Sequence, residues 1–123
     1  MKHFFIGIFL LIGFASSEYC HNESDWCYDQ AINFAFYIFE GANINGVELA
    51  RGQLETDGTV SCPNFDCDIV GAFSGDICVG WSTYYINEDL DNKFTLAVNG
   101  YDGNEYSQGY LVNGQVPTFK FYD

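Results

Sequence analysis

The chain has 123 residues, and its 17 Asp and Glu against 4 Lys and Arg give a formal net charge of -13. That length suits one domain rather than two, and so acidic a chain is repelled by nucleic acid and by anionic membrane surfaces. Disorder is excluded as well, because 48% hydrophobic and 19% aromatic content supplies far more burial than a disordered segment carries.

Residues 1–17 open with Lys2 and His3, continue through an apolar run at 4–14 and end in Ala15, Ser16 and Ser17, the layout of a secretory signal peptide. The run is about 11 residues where a membrane span needs roughly 20. It therefore directs export rather than anchoring, and cleavage near Ser17 leaves a secreted, extracellular or cell-surface chain without a membrane span. All five cysteines lie beyond it, where an oxidising compartment lets them pair. The local candidates are Cys20 with Cys27 and Cys62 with Cys67, since short loops close at little entropic cost. Cys78, between Ile77 and Val79, is left over and reads as a buried small hydrophobe. Zinc is disfavoured: no paired C-x-x-C occurs, and His21 is the single histidine after the leader. Asn22-Glu23-Ser24 is an N-glycosylation sequon. Residues 18–30 form a cysteine-containing lead-in, and residues 31–123 the folded domain.

No later segment keeps a helical apolar period over three turns, whereas short strands recur. Residues 33–39 are apolar on both faces, Phe34, Phe36 and Ile38 against Ala35, Tyr37 and Phe39, which suits a central strand covered on each side. Asn45-Gly46 marks a tight hairpin turn. Residues 50–66, rich in Gly, Pro, Asp and Ser, read as a long loop. Residues 68–73 and 77–85 form a hairpin turning at Ser74-Gly75-Asp76. Alternation in its second strand puts Ile77, Val79, Trp81 and Thr83 on one face and Cys78, Gly80, Ser82 and Tyr84 on the other, with Trp81 in the core. An acidic turn at 87–92, a strand at 93–99, a Gly-rich loop at 100–109, and a turn at Asn113-Gly114 into a last strand at 116–122 complete the chain. The fold class is all-β: an antiparallel Ig-like β-sandwich of about six to eight short strands with no substantial helix after the leader.

The string Asp68-Ile69-Val70-Gly71-Ala72-Phe73-Ser74-Gly75-Asp76-Ile77-Cys78-Val79-Gly80 resembles the VGAF-x-GD-x-C-x-G core of small β-sandwich modules in secreted proteins of the Bacteroidetes and related marine bacteria. Phe36 to Glu40 with Ile44-Asn45-Gly46, Gly100-Tyr101-Asp102-Gly103, and Pro117 to Asp123 look like that module's flanking segments, so the resemblance runs from Ala31 to the end. It implies a sandwich and export, and says little about activity.

Catalysis is not expected, because a nucleophile-histidine site would have to use His21 beside an oxidised cysteine. The acidic loops offer oxygen ligands to calcium, foremost Asp102, Asn104 and Glu105, and also Asp89 and Asp91. Tyr84, Tyr101, Tyr106 and Tyr110 lie among Asn, Gln and Asp, a mixture suited to sugars laid on aromatic rings and hydrogen-bonded by amides. The chain thus reads as a non-catalytic binding or adhesion module for a glycan or protein partner at the cell surface. The alternative is a self-associating structural subunit of an extracellular filament or coat. Intact-mass measurement of the exported protein should show the loss of about 17 residues, as the short apolar run requires; retention of the run would contradict the export reading.

Overall fold

The structure is a computed structural model and describes residues 18–63 and 66–123; the expected leader lies outside them. Among the described residues eleven strands run in chain order: β1 (Glu18–His21), β2 (Trp26–Asp29), β3 (Phe34–Phe39), β4 (Asn43–Ile44), β5 (Val47–Glu48), β6 (Gln53–Leu54), β7 (Val60–Ser61), β8 (Ile69–Ser74), β9 (Ile77–Thr83), β10 (Phe94–Asn99) and β11 (Thr118–Tyr122). The only helical pieces among the described residues are single 3-10 turns at Glu88–Leu90 and Glu105–Ser107. The count exceeds expectation because β1 and β2 form a hairpin in the lead-in segment and β6 pairs with β7 inside the 50–66 segment. Asn45 and Gly46 both take positive φ, 53° and 83°, turning β4 into β5 as the Asn-Gly pair demands.

The protein is an antiparallel β-sandwich. One sheet has the order β11-β8-β9 and the other pairs β3 with β10. Because side chains alternate across a strand, Val70 and Ala72 of β8 face the second sheet. They meet Phe94, Leu96 and Val98 of β10, with Leu49, Val79, Tyr84 and Tyr110 completing the core. Each of the large apolar side chains fully buried here contributes about 2 kcal/mol of transfer free energy. The opposite face of β8-β9 carries Gly71, Phe73 and Trp81, and the β1-β2 hairpin lies over it. Trp26 stands edge-on to Phe73 above Gly71, where a Cβ would strike its indole ring.

Three expectations change. β3 is not covered on both sides: among the described residues it pairs with β10 alone, and Phe34, Phe36 and Ile38 are exposed while Tyr37 and Phe39 pack on Phe119. The alternation of β9 breaks because Ala72 pairs with Gly80 but Phe73 with Cys78. Val79 is the extra residue, and this bulge turns it into the core, away from the face shared by Trp81 and Thr83. Trp81 is half-buried beneath the hairpin rather than in the core, its indole N–H donating to the Tyr19 carbonyl at 3.2 Å.

The two sheets close on one another where β9 crosses β10. A Cβ on Gly80 would collide with the Ala97 carbonyl oxygen, and the buried Asn99 amide clamps the junction. Its Nδ2 donates to Val79 O at 2.8 Å, and its Oδ1 accepts from Ala31 N at 2.9 Å. Both disulfides form as expected, Cys20 with Cys27 and Cys62 with Cys67, and Cys78 is free and buried. Ser74 is not idle at the hairpin tip, since its hydroxyl donates to Gly109 O at 2.8 Å.

Alanine normally outperforms glycine within a strand, so a loss of stability in Gly80→Ala isolates the close approach. Urea unfolding should show a cost of about 2 kcal/mol or more, against about 1 kcal/mol for Ser74→Ala. A Gly80→Ala protein as stable as the parent would contradict the contact.

Candidate binding groove

A groove of about 520 Å³ opens where the start of β3, the end of β10 and the 111–115 loop come together, within the size range of small-molecule sites. The backbone builds it. Gly100 N donates to Asn33 O, Tyr101 N to Leu111 O, and Gln115 N to Val112 O, the last closing the turn at Asn113-Gly114. The walls mix aromatic and amide groups: Phe34, Tyr37, Tyr101, Asn33, Asn113 and Gln115. Asn33 Nδ2 is bound to Tyr101 O and Gln115 Oε1 to Val112 N, which fixes both amides and leaves the other end of each for a ligand.

Of the four tyrosines expected at a binding surface, only Tyr101 stands at the groove, 44% exposed. Tyr84 and Tyr110 are core residues, a correction with a clear cause: each buries its ring and satisfies its hydroxyl on the chain itself. Tyr84 donates to Glu48 Oε2 at 2.9 Å and accepts from Ala42 N, and burial, then the Glu48 carboxylate, raises its pKa. Tyr110 accepts from Asp29 N at 2.8 Å, tying the loop to β2. Tyr106 is half-buried and donates to Asp102 Oδ2 at 2.6 Å.

The proposed calcium residues Asp102, Asn104 and Glu105 form a loop fastening instead of an open oxygen cage. A carboxylate has about four acceptor positions, and at Asp102 four donors of the chain fill them. Oδ2 takes Ile32 N and Tyr106 Oη, and Oδ1 takes Asn104 N and Ser107 Oγ. The Tyr106 hydroxyl first, and the other donors with it, hold this carboxyl well below the usual range. Asn104 turns its amide to the Tyr106 hydroxyl, and Glu105 stays exposed. In the other acidic turn Asp89 N is capped by Asn87 Oδ1, and Asp91 pairs with Lys93 at 3.5 Å. Where three potential metal ligands do converge among the described residues, Glu18 with Cys20 and Cys27, and Asp66 with Cys62 and Cys67, the cysteines are spent in disulfides.

His21 and Ser24 share a hydrogen bond of 2.7 Å between Nδ1 and Oγ. The imidazole sits edge-on to Trp81 and Tyr122, and Ser24 Oγ also accepts from Trp26 N, so the pair fastens the β1-β2 turn. Asp68 is buried between strands. Its Oδ2 accepts from Ala50 N at 2.7 Å, and burial first, with the nearby Asp123 carboxylate also acting upward, raises its pKa.

The missed groove residues, Asn33, Phe34, Asn113 and Gln115, had no sequence signal as a group, because the β3-β10 pairing brings 33 beside 100 and 101 and the Gly100–Leu111 bridge brings in the 111–115 loop. No protein-family model, curated protein or solved structure matches the chain.

The two perturbed carboxyls act in opposite directions on acid stability. Asp102, depressed in the fold, adds stability that is present above its unfolded pKa of about 3.9 and lost as pH falls below it. Asp68, raised in the fold, adds stability that is complete below that value and lost as pH rises through its folded pKa. Melting curves of the parent and of Asp102→Asn should therefore differ most near neutral pH and converge as pH drops toward 2 (about two units below the unfolded value). A gap that stays constant with pH would show that Asp102 is not held ionised by its loop.

Proposed function

We propose that the protein is a secreted, non-catalytic binding module that holds a neutral glycan in the groove beside Tyr101. The carrying observation is an exposed aromatic ring flanked by the immobilised amides of Asn33 and Gln115 and by Asn113. Sugar rings present C–H faces that lie on aromatic surfaces and hydroxyls that pair with amides. The formal charge of -13 turns away sulfated and uronic-acid glycans, which favours neutral ones. Two disulfides suit an extracellular setting. No helix among the described residues is long and apolar enough to cross a membrane. The leader expected at residues 1–17 agrees with the same reading.

A glycan array followed by titration calorimetry tests this. The expected outcome is saturable binding of a neutral oligosaccharide, weakened about tenfold or more by Tyr101→Ala with the melting temperature nearly unchanged. Absence of saturable binding, or a Tyr101→Ala protein that binds as well as the parent, would overturn it.

A further inference from the structure

Among the described residues, the outer row of the β3-β10 sheet is exposed along β3, while the β10 residues on that face are half-buried (Thr95, Ala97) or buried (Asn99). Phe34, Phe36 and Ile38 alternate along β3 at 50%, 63% and 66% exposure, and Ile32 just before them is 75% exposed. Large apolar side chains in such a row are unusual on a protein that acts alone. The row is also ordered, with the Phe34 and Phe36 rings meeting edge to face at 5.6 Å. We propose that this face is where two copies of the protein associate, packing sheet against sheet about a twofold axis.

Charge selects a second copy as the occupant. In a chain of net charge -13, residues 30–39 and 94–99 carry no charged side chain, so this sheet is a place where two acidic molecules can touch without opposing carboxylates. A basic partner finds no carboxylate on these strands to pair with. Shape points the same way. Phe36 lies opposite Ala97 and Ile38 opposite Thr95, so these two bulky residues of β3 have small neighbours on β10. A twofold lets Phe36 of each copy seat over the small residues of the other, the self-complementarity that an isologous contact needs. The exposed fraction of these four residues is about 500 Å² per copy, or about 1,000 Å² for the pair, under the roughly 1,200 Å² at which stable interfaces begin and in the range of weak, transient ones. A reversible, concentration-dependent dimer follows.

Sedimentation velocity of the exported protein, from micromolar to millimolar concentration, should show a monomer-dimer equilibrium. The dimer should strengthen as sodium chloride is raised, because salt screens the repulsion between two acidic copies. Phe36→Glu and Ile38→Glu should each weaken association by about tenfold or more. Neither residue lines the groove, so both variants keep the parent's circular dichroism and any glycan binding through Tyr101. Val47→Glu, on the exposed β4-β5 hairpin, should leave the dimer intact. A monomer at every concentration, a dimer indifferent to Phe36→Glu and Ile38→Glu, or Phe36-dependent binding of the monomer to phosphatidylcholine vesicles would each overturn the proposal.

Discussion

The contact between Gly80 and the Ala97 carbonyl sets the arrangement of the rest. Two twisted sheets can share a thin core along one side only if their backbones approach closely there, and any side chain at position 80 would hold them apart. Once they touch, the Asn99 amide bridges Val79 O and Ala31 N, so that no backbone polar group is stranded at the seam. The bulge that displaces Val79 belongs to the same solution: it turns that side chain into the core and offers its carbonyl to Asn99.

From that seam the two faces of each sheet acquire different fates. The β11-β8-β9 sheet is covered twice, by β10 on one side and by the disulfide-closed β1-β2 hairpin on the other. The β3-β10 sheet is covered once. Its inner residues Tyr37, Phe39, Phe94 and Leu96 meet the core, and Phe36 and Ile38 of its outer row stay exposed. Apolar residues on both faces of β3 therefore fit two purposes, folding through one face and the proposed association through the other.

Polar groups are used economically inside the fold. Asp102 takes four donors from Ile32, Asn104, Tyr106 and Ser107, which ties an acidic loop together through its own backbone and hydroxyls. Tyr84 and Tyr110 each bury a ring and fasten a backbone amide with the hydroxyl. The groove inherits its order from these ties, since the segment carrying Tyr101 is held by the neighbouring Asp102 and by Leu111.

What the sequence determined by itself is local. The Ser74-Gly75-Asp76 turn placed β8 and β9, alternation placed β10, Asn-Gly placed the β4-β5 turn, and short separations placed both disulfides, because each depends on residues close along the chain. The tertiary structure decided which of two equivalent faces is buried: alternation divides Phe34, Phe36 and Ile38 from Tyr37 and Phe39 but cannot say which set meets a partner sheet. It likewise sent Tyr84 and Tyr110 inward and left Tyr101 out, although all three are tyrosines near polar residues. The reason is physical: burial is a property of what lies across the gap, and for β3, for Tyr84 and for the groove that neighbour comes from a distant part of the chain.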